Sequence, residues 1–197
     1  MFSSQNNKTD LILATYQDIR TVFRLNDIAM LSGETNFQSL NKKLNYHVRT
    51  GKLQNPRKGI YAKPDFNREE LACTLYTPSY ISLEYVLQKA GIVFQYDSAI
   101  SVVSYLSRSI EVENQTFRYR KIKGELLVNM SGIIRQKNQV NIATPERAFL
   151  DLLYLNTRFH FDNVNPLNKE LVYKFLPIYQ SATMIKRVNT LLQNDRS

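Results

Sequence analysis

A single cysteine, Cys73, excludes an internal disulfide and any CxxC metal motif. The two histidines, His47 and His160, stand apart from any Cys, Asp or Glu set at metal-ligand spacing, so neither metal binding nor histidine catalysis has a local basis. There is no GxGxxG run and no GxxxxGK followed by Ser or Thr, which removes the usual signs of nucleotide binding. No apolar stretch approaches the roughly 18 residues of a membrane span. Met1 to Asp10 is polar, and the LILATY after it is too short for a secretory signal. The expectation is a cytoplasmic protein with no cofactor, no metal, no membrane association and no enzymatic activity. Cys73 reads as a small buried residue, and Glu146 and Asp151 read as a helix cap and a surface residue.

One further absence is local. From Thr35 to Lys63 there is no acidic residue, while seven basic ones occur. The whole chain of 197 residues carries a formal net charge of +9. Residues 1–65 hold 10 Lys/Arg and 5 Asp/Glu, a net +5, and the other 132 residues supply +4. The first third is therefore the denser in positive charge, which favours a polyanionic partner. The apolar fraction of 43% is ordinary for a globular chain and leaves room for a buried core.

The residues present fit that charge. Ile12, Tyr16 and Ile19 fall at helical spacing, and Val22 and Phe23 can anchor the entry to the next helix. Asn26 is expected to cap that second helix with Ile28, Ala29 and Leu31 inward, stopped by Gly33. A third helix is expected over Asn36–Thr50, with Phe37, Leu40, Leu44 and Val48 facing the core. Its other side holds Asn36, Gln38, Ser39, Lys42, Asn45 and Arg49, with Lys43 at the margin. Gly51 closes it. A ribbon comes next, with a turn at Asn55-Pro56, Gly59 permitting a bulge or a close backbone approach, Leu53, Ile60 and Tyr61 packing inward, and Arg57 and Lys58 near the tip. Three short helices and a basic ribbon spell a winged helix-turn-helix. Gln38 and Ser39 are expected at base edges, and Lys42, Lys43, Arg49, Arg57 and Lys58 at the DNA backbone or minor groove.

Lys63-Pro64-Asp65 reads as a boundary, giving a DNA-binding domain over 1–65 and a mixed α+β domain over 66–197. In the second domain helices are expected near Glu69–Tyr76 and Ser82–Lys89, then a strand at Ile100–Tyr105. A hairpin is expected from Ile110 to Ile122, with a turn at Glu113-Asn114-Gln115. Further strands are expected at Leu126–Asn129 and Val140–Ile142. The best-signalled helix opens at Thr144-Pro145-Glu146. Another runs from Lys169 to Phe175 and ends at Pro177, and a last one covers Ser181–Leu192. Arg118, Arg120, Lys121 and Lys123 are expected to place charge outside the hairpin.

The segments FRLNDIAMLSG, LNYHVRTGKLQNPRKGIYAKP, TPSYISLEYVLQKAGI, FRYRKIK and IATPERAFLDLLYL occur in this order across about residues 15 to 155. In order and spacing the chain resembles the AbiEi family, the antitoxins of type IV toxin–antitoxin systems. Arg57, Lys58 and Tyr61 match the family's RRGIYA wing pattern, with lysine at the second basic place. The resemblance implies a winged domain that represses its own operon by binding operator repeats in double-stranded DNA. It also implies a C-terminal domain that counters a nucleotidyltransferase toxin without a stable complex, and monomers that meet on DNA. A basic C-terminal surface, here Arg118, Arg120, Lys121, Lys123 and Arg147, is family-like too. A stand-alone regulator or a protein-docking adaptor remains the alternative, since twelve Tyr and ten Phe could line a docking surface.

Overall fold

Asp10 starts the first helix: its carboxylate accepts the amide hydrogens of Ile12 and Leu13, two donors that a helix start leaves without partners. The structure is a computed structural model describing residues 10–193, and the polar segment ahead of Asp10, expected not to be a secretory signal, lies outside the described residues. The chain divides into two units: residues up to Leu75 together with 137–139, and the rest. The architecture is mixed α+β, an N-terminal helix-and-strand unit followed by a larger α+β region.

In the first unit the order is α1 (Leu11–Gln17), β1 (Val22–Arg24), α2 (Leu25–Ser32), α3 (Phe37–Arg49), β2 (Gln54–Arg57), β3 (Ile60–Ala62) and α4 (Arg68–Leu75). The three strands form an antiparallel sheet in the order β1-β3-β2. Leu11, Phe23, Ile28, Leu40, Leu44, Leu53 and Tyr61 make one buried cluster. Four local expectations are corrected here. α1 buries Leu11, Ala14 and Thr15, while Tyr16 and Ile19 are exposed, because the helix stops at Gln17 and turns a different face inward. α2 begins at Leu25, ahead of Asn26, and Asp27 closes its start by accepting the Arg24 amide at 2.7 Å. Phe37, at the first turn of α3, overhangs the core and is exposed.

The fourth concerns the ribbon. Asn55 and Pro56 lie within β2, and the turn is at Lys58-Gly59, where Gly59 takes φ +79°. Pro56 has no amide to donate, which an edge strand tolerates. Gln54 faces Ala62 and Arg57 faces Ile60, so β2 carries one extra residue as a bulge. The Asn55 side-chain amide donates to the Arg57 and Ile60 carbonyls and fills the gap in the ladder.

The first unit ends at Leu75 rather than at the 65/66 boundary read from the sequence. Buried Glu70 of α4 accepts the Thr21 amide, the Thr21 hydroxyl and the Val22 amide, which ties that helix to β1. Cys73, on the same helix, is half-buried rather than enclosed.

The second unit runs β4 (Ser79–Ile81), α5 (Leu83–Lys89), β5 (Ile100–Ser104), β6 (Arg108–Val112), β7 (Gln115–Lys121), α6 (Gly124–Val128), β8 (Ile133–Arg135), β9 (Asn141–Ala143), α7 (Pro145–Leu155), α8 (Lys169–Phe175) and α9 (Ala182–Gln193). Its six-stranded sheet has the order β6-β7-β5-β4-β9-β8, with β5–β7 and β4–β9 parallel and the rest antiparallel. The β6–β7 hairpin turns at Glu113-Asn114, both at positive φ. Phe117 and Tyr119 of β7 are buried, as the alternation of that strand requires. The apolar run at 126–128 forms helix α6, not the expected strand. Pro177 does not end α8: the helix stops at Phe175, and Pro177 sits in a 3₁₀ turn over Leu176–Tyr179. α7 is capped as expected, with Thr144 accepting the Arg147 amide and Pro145 at the first position. Among the described residues no helix is long and apolar enough to cross a membrane.

Candidate nucleic-acid interface

α3 is fixed at both ends and along one side. Asn36 caps it, its side-chain oxygen accepting the Gln38 and Ser39 amides at 3.0 Å each. At the other end the Lys52 and Leu53 amides bond to the His47 carbonyl, and Gly51 adopts φ +72°. Leu40 and Leu44 are fully buried and Val48 partly so, which turns the opposite face outward. On that face Gln38, Lys42, Asn45, Tyr46 and Arg49 are exposed. Lys42, Arg49 and the turn residue Lys58 form no ion pair with another described residue. They are the cations of the outward α3 face and of the β2–β3 turn that remain available to an anion.

The other expected contacts stand differently. Asn36 is spent on the cap. Its replacement by alanine is expected to cost about 1 kcal/mol and to fray the first turn of α3; Asn36→Asp, which caps equally well, restores the melting temperature, read by thermal denaturation followed by circular dichroism. Lys43 is not a free cation either: its ammonium is 2.8 Å from the Glu34 carboxylate. Glu34 lies one residue before the acid-free window, so the window overstated the free charge. Ser39 and Arg57 are half-buried, and Arg57 is engaged by other groups. Lys63 is also engaged, its ammonium donating to the Asp18 carbonyl at 2.6 Å.

Sequence reasoning passed over Tyr46, which is 51% exposed on the outward face of α3. Its signal was spacing: it follows Lys42 by four positions and precedes Arg49 by three, so the three share a face. His47, one position on, turns partly inward. Burial, with Lys52 acting the same way, holds its pKa below the usual 6.5, so it adds no charge to the helix at neutral pH.

In the second unit the expected basic surface is thinner than the sequence suggested. Lys121 and Lys123 are exposed and Arg120 is half-buried, but Arg118 is paired with Asp97 at 2.5 Å. Arg147 does not belong to any surface. It is wholly buried, and so is Asp151. Arg147 Nε donates to Asp151 Oδ1 at 3.1 Å, Nη1 to the Asn129 and Ser131 carbonyls, and Nη2 to the Tyr80 hydroxyl and the Leu126 carbonyl. Asp151 also accepts the hydroxyls of Tyr80, Ser82 and Tyr179. Burial raises the pKa of both phenols, with the Asp151 charge adding to it, so they stay protonated and keep donating. Burial also holds the Asp151 carboxyl above its usual range, against the pull of the Arg147 charge and of the Tyr179 and Ser82 hydroxyls. This network fills the space inside the unit where a surface residue was expected. Glu146, expected as a solvated cap residue, is buried as well, and its carboxylate accepts the Asn168 amide at 3.2 Å.

Among the described residues no cluster of three or more His, Cys, Asp or Glu side chains could hold a metal ion. An open cleft of about 520 Å³ lies between Phe94, Phe161 and Leu191, with Asn163 and Asn165 at its wall. Its one carboxylate, Asp162, accepts the Phe94 amide at 2.8 Å. No protein-family model matches the chain, and no significant match to a curated protein was found.

Proposed function

We propose that the first unit is a winged helix-turn-helix that binds double-stranded DNA, with α3 entering the major groove and the β2–β3 turn touching the adjacent backbone. The observation that carries this reading is the outward face of α3: amides at Gln38 and Asn45, cations at Lys42 and Arg49, a tyrosine between them, and no carboxylate. Amide side chains suit base edges, and the cations suit phosphates. The chain order helix–strand–helix–helix–strand–strand, with β3 between β1 and β2, supports the winged topology. The resemblance to the AbiEi family extends the proposal to an autorepressor of its own operon that counters a nucleotidyltransferase toxin without a lasting complex. On this reading monomers meet on operator repeats. A protein-docking role is favoured by a different feature, the exposed Phe94 (66%) and Tyr96 (83%) in the loop after α5.

Fluorescence anisotropy with a labelled duplex from upstream of the protein's own gene separates the two. Three available cations, Lys42, Arg49 and Lys58, predict a log–log salt slope of about −2.7 for each bound monomer, or about a 40-fold loss of affinity between 50 and 200 mM salt. Binding with no salt dependence, or no binding at the lower salt, sinks the DNA reading.

A further inference from the structure

The link between α2 and α3 places a carboxylate where a DNA-binding face has no use for one. The Glu34 side chain is 5% exposed, while that of Lys43, its partner at 2.8 Å, is 49% exposed. Glu34 Oε1 also accepts the Asn36 amide at 3.3 Å, which holds the carboxylate beside the start of α3. Lys43 lies on the flank of α3, between the buried row of Leu40 and Leu44 and the outward row of Lys42 and Arg49. Flanking positions of a groove-bound helix are those that meet the phosphate backbone. The pair is unlike an exposed ion pair, which opens at almost no cost. Here, moving the ammonium to a phosphate would take a positive charge from 2.8 Å beside a desolvated carboxylate and bring a second anion near it.

We propose that Glu34 is an internal competitor for phosphate: it holds Lys43 against the protein and so limits the affinity and salt dependence of the α3 face for duplex DNA. This rests on the DNA-binding reading of the first unit. Glu34 is then a positioning residue that acts through Lys43, and Lys43 is a cation withheld from the interface. A sequence tuned this way binds less tightly to any duplex and depends more on base contacts made by Gln38 and Asn45, since a phosphate contact strengthens specific and non-specific binding alike.

The test compares wild type, Glu34→Gln and the double variant Glu34→Gln/Lys43→Gln. Two labelled duplexes serve as probes, one from upstream of the protein's own gene and one of mixed sequence, each titrated from about 50 to 200 mM salt. Glutamine keeps an acceptor for the Asn36 amide but frees Lys43. E34Q is expected to steepen the slope on both duplexes by about 0.9, adding a factor of about 3 to the affinity change over that range. The double variant is expected to return to the wild-type slope. A purely structural role for Glu34 predicts weaker binding by E34Q with no steeper slope, and that result overturns the proposal. If E34Q fails to fold by circular dichroism, Lys43→Gln with Glu34 kept decides alone. An unchanged slope relative to wild type supports a withheld Lys43; a slope shallower by about 0.9 means that Lys43 already contacts phosphate, and overturns it. Wild-type protein that ignores both duplexes removes this inference together with the DNA reading.

Discussion

Arg147→Met is expected to destabilise the second unit by about 3–5 kcal/mol, the cost of removing one partner from a buried ion pair. The lost bonds explain the size. The Asn129, Ser131 and Leu126 carbonyls each lose a guanidinium donor, as does the Tyr80 hydroxyl, and the buried Leu126 carbonyl and Tyr80 hydroxyl gain no water in exchange. Asp151 is left buried with three hydroxyl donors and no positive charge. It then has to hold a proton to stay folded. A carboxyl whose folded pKa rises above the unfolded value of about 3.9 binds more protons in the native state, so stability falls as pH increases beyond that value. The deficit of the variant is therefore expected to be larger at neutral pH than near pH 4. Urea denaturation followed by circular dichroism at the two pH values measures both effects. Arg118→Ala is the comparator: its pair with Asp97 is more than a third exposed on both sides and is expected to be worth at most about 1 kcal/mol. If Arg147→Met unfolds within about 1 kcal/mol of wild type, the network is not what holds this unit together.

The two arginines also show where sequence reasoning reaches and where it stops. α3 and α7 were legible because each combines a cap residue with an apolar row at helical spacing, both local properties. The burial of Arg147 was not, because its surroundings come from Tyr80, Tyr179 and carbonyls 16 to 21 positions upstream. The local hint was Asp151, four positions on and so on the same face of α7. α6 was misread as a strand because Leu126, Leu127 and Val128 suit either state over so short a run. β1 was seen as two core residues and not as a strand, since three residues carry no alternation to detect. Lys43 was counted as free because its partner lies nine positions back, across the α2–α3 link. The outward face of α3 was read well, for helical spacing alone decides which residues oppose Leu40 and Leu44, and the missed Tyr46 obeys the same rule.

The second large effect is on DNA. Lys42→Glu/Arg49→Glu/Lys58→Glu is expected to bring the salt slope close to zero and to lower affinity for the upstream duplex by at least about 100-fold at low salt, because three contacts become three repulsions. The choice of residues follows the structure and not the charge run. Lys43 and Arg57 are left alone because each is already engaged, and Lys63 because its ammonium is bonded to backbone carbonyls within the unit. All three targets are exposed, so folding should survive. The main penalty is Arg49→Glu, which puts a negative charge at the C-terminal end of α3 and is expected to cost about 0.3–1 kcal/mol. A melting curve close to wild type together with lost binding assigns the loss to the interface. The matched control is Arg120→Glu/Lys121→Glu/Lys123→Glu in the second unit, which removes the same formal charge. If both triple variants lose affinity equally, net charge and not the α3 face drives binding, and the major-groove reading fails. If only the first does, then one helix face and one turn of the first unit select the duplex, and the second unit's cations serve some other contact.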